Sequence, residues 1–305
     1  MNGFLNILKP AGISSAAVVG KIRRITGEKR VGHAGTLDPE AAGVLPVMLG
    51  KATRLFDYLV DKEKAYTAVV AFGTSTDTQD ATGQVLETGE NWPDLQTVYE
   101  QSRGLIGDIV QTPSMYSAIK VNGKPLYAYA RQGKTLAVPE RTVHIDAIDV
   151  LREMPDHGVE ISVRCGKGTY IRSVCDDLGK RCGCPAHMRS LLRTKSGAFT
   201  LDTAILPERA EELAAAGSLR AFLLPLDFPL QHLGRLDVPP ALAKEVRNGV
   251  RIPASRLDTG AAEGVPLRVY LNDDFWGIAK LQENCLYWCA QMAPEEPERK
   301  ETCGY

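Results

Sequence analysis

A chain of 305 residues, 44% hydrophobic and 24% charged, is long enough for about two domains, and its composition excludes a disordered or fibrous protein. The net charge of −1 gives no bulk signal for a nucleic-acid partner, and no stretch resembles a signal peptide or a membrane span, so no membrane partner is expected. Seven cysteines, an odd number without framework spacing, point to free thiols in a reducing cytoplasm.

Residues 4–8 read as a short strand, and Lys9-Pro-Ala-Gly12 as a turn with one charge just outside it. Ser14 suits the N-cap of a helix over 15–25. Val18, Val19, Ile22 and Ile25 give that helix an apolar stripe; Lys21, Arg23 and Arg24 lie largely outside it. Next comes Val31-Gly-His-Ala-Gly-Thr-Leu-Asp-Pro-Glu-Ala-Ala-Gly-Val-Leu-Pro46. Pro39 fixes its own φ and pushes Asp38 toward an extended conformation, so the Asp38 carboxylate is aimed from a bend. The plain alternative is a surface turn, which Asp-Pro pairs commonly mark. Residues 44–49 read as a buried strand and 51–59 as a helix.

Residues 64–72 read as a strand with Tyr66, Ala68, Val70 and Phe72 on one face. Taken alone, Tyr66 reads as core packing. A polar loop over 73–83, a strand at 84–87 and a helix over 94–105 follow. Residues 111–125 mix strand and turn, and 126–132 form one or two helical turns ending at Gly133. Strands at 142–151 and 159–164 pair about a turn at 155–158. A helix over 170–181 opens out of Gly166-Lys-Gly168. Arg172 sits in its first turn, where the positive helix end disfavours a cation, so an acidic partner is implied. That partner is either Asp176, one turn on, or a carboxylate brought from afar, such as Asp38. Residues 188–192 and 197–201 extend the sheet, and 208–216 form an Ala/Glu-rich helix. A boundary falls near 226–236, where Pro225 and Pro229 interrupt the pattern. Beyond it, a helix at 241–247 and short strands at 251–253, 267–270, 276–279 and 285–288 suggest a small β-barrel-like module.

Charge is unevenly placed. Residues 18–35 hold five Lys/Arg against one acid, and residues 164–195 hold eight against two. Acids gather at Glu295, Glu296, Glu298 and Glu301. Local basic patches steer polyanions, although solvated helix faces are the plainer meaning of any one cluster. Cys182, Cys184 and His187, with Cys175 before them, lack the second well-spaced pair that zinc sites use, so no metal is expected. Neither phosphate-loop pattern is present.

Several of these stretches resemble, in order, the motifs of the TruB family of tRNA pseudouridine-55 synthases. They are Lys9-Pro-Ala-Gly-Ile-Ser-Ser15, the loop from Gly32 to Pro46, Lys64-Ala-Tyr66, Thr76-Asp-Thr-Gln-Asp-Ala-Thr-Gly83, Gln111-Thr-Pro-Ser-Met-Tyr-Ser117, Leu126-Tyr-Ala-Tyr-Ala-Arg-Gln-Gly133 and Gly168-Thr-Tyr-Ile-Arg-Ser173. Thr36 stands where many members carry a smaller residue, with no effect on chemistry expected. The resemblance implies an α+β fold: a mixed, largely antiparallel sheet with flanking helices and a central cleft, over 1–230. It implies a small β-rich PUA-like domain over 231–292 and a mobile RNA-binding flap at 113–141; the chain itself reads as a loose tail over 293–305.

The resemblance further implies isomerisation of one uridine in the tRNA T-loop. Asp38 falls on the catalytic aspartate, Tyr66 on the active-site tyrosine, Arg172 on the arginine that pairs with the aspartate, and His33 on the histidine that holds the extruded-base conformation. The reaction breaks a C–N glycosidic bond, turns the base and rejoins it through carbon. Nothing is oxidised and no group is imported, so no cofactor is expected. Asp38 attacks sugar or base, or stabilises charge on the sugar; the sequence leaves these open. The expected partner is tRNA, held by phosphate contacts from Lys9, Lys21, Arg23, Arg24, Lys29, Arg30, Lys120, Lys124, Arg131 and Lys134, with no protein partner implied and a monomer expected. The rival reading is a tRNA-binding or tRNA-folding module with secondary or no catalysis, which has no need of the Asp38–Tyr66–Arg172 set.

Overall fold

The computed structural model describes residues 1–59 and 62–294. The chain begins with strand β1 (Gly3–Lys9) and helix α1 (Ser15–Thr26), which the Ser14 hydroxyl caps by accepting from the Ala17 amide at 3.1 Å. Strand β2 (Val31–His33) and the long β3 (Ala42–Leu49) follow. The helix expected at 51–59 is a 3₁₀ run, Gly50–Tyr58. Its buried Ala52 and Leu55 are three apart, a spacing that a 3₁₀ turn stacks on one side. Next come β4 (Lys64–Phe72), a hairpin of β5 (Thr74–Thr76) and β6 (Val85–Thr88), α2 (Leu95–Arg103) and β7 (Gly107–Gln111). The 112–140 segment carries the two-residue strands β8 (Lys120–Val121) and β9 (Lys124–Pro125) and the short α3 (Leu126–Ala130). Strands β10 (Arg141–Met154) and β11 (Gly158–Cys165), helix α4 (Ile171–Cys182), β12 (Ala186–Ser196), β13 (Phe199–Thr200) and α5 (Pro207–Ala215) follow.

The main sheet runs β1-β3-β12-β4-β11-β10-β7, with β2 added to β3 and β13 to β12. Every pairing in it is antiparallel except the short β12–β3 contact. Strand alternation sorts side chains to its two faces. Leu5, Ile7, Leu45, Val47, Tyr66, Ala68 and Val70 lie in one buried cluster with residues of α1, α2, α4 and α5. Phe4, Val44 and Met48 alternate to the other face, where Phe199, Leu230, Ile278 and Met292 cover them.

Ile278 belongs to a second sheet, and Met292 directly follows that sheet's last strand. After β14 (Gly234–Asp237) and α6 (Ala243–Asn248), strands β15 (Ile252–Pro253), β16 (Pro266–Leu271), β17 (Asp274–Gln282) and β18 (Cys285–Gln291) assemble in the order β14-β16-β17-β18-β15. Leu236, Val246, Val269, Trp276 and Leu286 make its own core. Of the tail expected at 293–305, residues 295–305 lie outside the described residues.

Candidate active site

The loop that carries Asp38 is pinned from two sides. On one side the Ser15 hydroxyl bridges both backbone groups of Leu37, accepting from its amide at 2.9 Å and donating to its carbonyl at 3.0 Å. The Gly12 amide donates to the Pro39 carbonyl at 2.9 Å. Lys9 is wholly buried, and its ammonium donates to the carbonyls of Pro10, Ile13 and Pro39 at 2.6–2.9 Å. Burial pushes its pKa down to about 8, against the raising influence of Glu40 and Asp38. The expectation that Lys9 touches RNA is therefore corrected: its charge is spent inside, tying the first turn to the Asp38 loop. The sequence hid this because the three acceptors are backbone oxygens.

On the other side stands Arg193 of β12, a residue that sequence reasoning missed. Its guanidinium donates to the carbonyls of Gly35, Thr36 and Val44. Gly43 makes this fit possible. Its φ is 117°, and a Cβ there would overlap the Arg193 backbone alongside.

Asp38 itself is half-exposed, and the buried Arg172 guanidinium meets it side-on. Nε lies 2.9 Å from Oδ2, and Nη2 donates to Oδ1 at 3.4 Å. The remaining Arg172 donors reach the Thr78 carbonyl at 2.9 Å, the Ser114 hydroxyl at 3.1 Å and the Tyr116 carbonyl at 3.1 Å. Asp80 lies 3.8 Å from the Arg172 Nε and is fixed by Thr78 and Thr82. The partner of Arg172 is thus the distant Asp38. Asp176 is taken up by Lys180 at 2.7 Å and by Gln79 at 3.1 Å.

These groups open onto one cleft of about 570 Å³. Asp38, Tyr66, Arg172, Tyr170, Leu191 and Arg193 line it, with Lys64, Arg141 and Lys167 contributing cations. Tyr170 is flanked by two guanidinium groups, with Arg141 at 5.7 Å and Arg172 at 5.9 Å from its ring centre. Its backbone is clamped by the buried Gln111 side chain at 3.0 and 3.2 Å. Asp80, Tyr170 and Gln111 were within stretches singled out in the sequence, but nothing local marked them as individuals. Burial pushes the Tyr66 phenol above its usual range, while the Arg193 cation beside it pulls the other way.

The other expected site residues lie elsewhere. His33, at the end of β2, is half-buried and does not line the cleft; its Nδ1 is buried without a hydrogen-bond partner among the described residues. Burial and the Arg193 charge lower its pKa below 6.5. The folded state then binds fewer protons than the unfolded chain near that pH, so this group costs stability as pH falls through 6.5. Wild type should lose more stability than His33→Gln between about pH 7.5 and about pH 5.5, read by urea denaturation. Lys21 is paired with Glu208 at 2.7 Å and Glu211 at 3.2 Å. Arg23 and Arg24 are exposed on α1, and Lys120, Arg131 and Lys134 are exposed on the 112–140 segment.

Among the described residues no three His, Cys, Asp or Glu side chains group as metal ligands, and His187 is hydrogen-bonded to Thr74. Burial raises the Cys165 and Cys182 thiols to about 11. No helix among the described residues is long and apolar enough to cross a membrane.

Residues 23–171 match the TruB family pseudouridylate synthase (N terminal domain), and residues 172–231 match the tRNA pseudouridylate synthase B C-terminal domain. A tRNA pseudouridine synthase B of Alkaliphilus oremlandii is 44% identical over 91% of this chain and 92% of its own length. Another, of Bacillus licheniformis, is 45% identical over 81% of this chain and 82% of its own. A chain of the Cbf5-Nop10-Gar1 complex superposes with a TM-score of 0.70 at 27% identity, over 91% of this chain and 78% of that one. The mixed, mainly antiparallel sheet, the cleft and these matches together place the chain in the TruB family of pseudouridine synthases.

Proposed function

We infer that this protein isomerises uridine to pseudouridine in tRNA, with the T-loop as the site of reaction. The observation that carries the reading is the Asp38–Arg172 ion pair at the wall of a cleft that Tyr66 also lines. A tRNA-binding module has no use for that set.

The geometry suggests how the work divides. Arg172 keeps the Asp38 carboxylate aimed, because a bidentate guanidinium fixes its position and orientation. Asp38, half-exposed in the cleft, is free to meet C1′ or the base, or to face positive charge building on the sugar. The glycosidic electron pair leaves with the base. The base turns, its C5 bonds to C1′, and the C5 proton departs to a base or solvent. Atoms and electrons balance without a cofactor. Tyr66 is held as a neutral phenol by burial, which suits a stacking face and a hydrogen-bond donor. Its service as proton acceptor needs the help of a nearby cation, which Arg193 supplies.

The target uridine leaves its stack to enter the cleft, at a cost of a few kcal/mol. A T-loop already splays its bases, and RNA recognition favours such loops. Lys64, Arg141 and Lys167 at the cleft and Lys120, Arg131 and Lys134 nearby suit contacts to phosphates. Binding should then weaken about 100-fold between about 50 and about 200 mM salt, as release of counterions from several phosphates demands. A flat salt response in a filter-binding assay contradicts this part. In the same reading the 113–141 segment is an RNA-ordered flap, and residues 231–292 form a PUA-like domain that extends the RNA surface. His33 holds the extruded-base conformation of the RNA from outside the cleft. The protein works as a cytoplasmic monomer.

The test uses tRNA transcript carrying tritium at uridine C5. Forming the C–C bond ejects that hydrogen, so about one tritium per tRNA should enter the solvent. No release above a no-enzyme control overturns the reading.

A further inference from the structure

Arg193 is 1% exposed, yet it is the residue where three parts of the site meet. It sits on β12 directly opposite Tyr66 on β4, and its neighbour on the other side is Gly43 of β3. Its Nε donates to the Val44 carbonyl at 2.8 Å, Nη1 to the Thr36 carbonyl at 3.3 Å and Nη2 to the Gly35 carbonyl at 3.1 Å. Gly35 and Thr36 lie three and two residues before Asp38, and Gly35 holds a φ of 101°.

A buried guanidinium ordinarily has a carboxylate beside it. Among the described residues Arg193 has none; its neighbours are carbonyl oxygens and the Tyr66 hydroxyl. Its charge is instead felt by Tyr66 and His33. Three of its five N–H groups are used by the carbonyls, which leaves donors for the phenol oxygen. A phenol oxygen that accepts there keeps its own O–H free to donate elsewhere.

The geometry points to Arg193 as a positioning residue for the isomerisation: it ties the Asp38 loop to the Tyr66 strand and so sets the distance and facing of the two groups across the cleft. Arg172 clamps Asp38 by its charge, whereas Arg193 clamps the backbone that carries Asp38. A lysine in its place keeps the charge, but its donors all radiate from one nitrogen and cannot match the spread of carbonyls that Nε, Nη1 and Nη2 reach separately. The assignment rests on the proposed pseudouridine synthase activity, and wild-type turnover in the same assay tests that separately.

The experiment compares Arg193→Lys and Arg193→Met with wild type in single-turnover kinetics on unmodified tRNA transcript, alongside tRNA affinity and thermal melts. Arg193→Lys should lose about 100-fold in rate, the cost of a displacement near 1 Å, while tRNA affinity stays within about threefold. A fluorotyrosine label at Tyr66, assigned by its loss in Tyr66→Phe, adds a readout that turnover does not supply. Its titration should move to higher pH in Arg193→Met, where the cation is gone. A lysine variant within about threefold of wild-type rate overturns the assignment. So does a rate that falls only in step with tRNA affinity. If neither variant melts cooperatively, Arg193 serves the fold alone, and the assignment is equally overturned.

Discussion

Asp38→Asn should lower the rate of pseudouridine formation by about 10⁴-fold or more, the order seen when an essential catalytic group is removed, while tRNA still binds. Asparagine matches aspartate in shape, so the loop held by Ser15, Lys9 and Arg193 has no reason to move. What disappears is the negative charge that faces the cleft. The cost to stability is moderate. Arg172 loses a charged partner but keeps Thr78, Ser114, Tyr116 and the nearby Asp80. The charge left behind is the buried guanidinium, but these partners and the new amide oxygen still accept from it, so only part of the penalty of an orphaned buried charge applies, and about 1–3 kcal/mol is expected. Single-turnover kinetics with a parallel binding assay check the split. A variant that turns over at near wild-type rate removes Asp38 from the chemistry.

Arg172 variants should fail differently. The guanidinium joins the Asp38 loop, the 78–80 turn and the 114–116 stretch, so its loss unties three segments at once. Arg172→Met leaves Asp38, the Ser114 hydroxyl and the Thr78 and Tyr116 carbonyls without their donor, and about 3–5 kcal/mol of stability should go with it. Arg172→Lys keeps one charge but offers fewer donors in the wrong directions. It should fold, yet turn over about 100-fold or more slowly, because Asp38 is no longer held from two directions. Urea denaturation of both variants and kinetics of the lysine variant separate the two effects. A methionine variant as stable as wild type contradicts the clamp.

The sequence made the frame and the Asp38 bend legible for local reasons. Period-two runs such as 64–72, the Ser14 cap and the Gly/Pro punctuation around Asp38 act within a few residues. The misplaced cation of Arg172 also carried information, because a positive charge in the first turn of α4 needs an acid, and Asp38 supplies it. The rest depended on contacts that no local pattern encodes. Strands β2 and β14 are only three and four residues long and are defined by their partners. Lys9 and Arg193 satisfy backbone carbonyls, which every residue possesses, so nothing in the sequence names their acceptors. One clue was available. Arg193 falls two residues after Leu191, on the inward face of a strand, and a cation at an apolar period-two position has a structural task.

The most direct measurement is to incubate the wild-type protein with an unmodified tRNA transcript and map pseudouridine by chemical labelling. One new pseudouridine, confined to the T-loop and absent with Asp38→Asn, is the predicted result. A transcript left unmodified, or modified equally by the Asn variant, contradicts the claim that Asp38 and Arg172 form the reactive pair of a uridine-isomerising cleft.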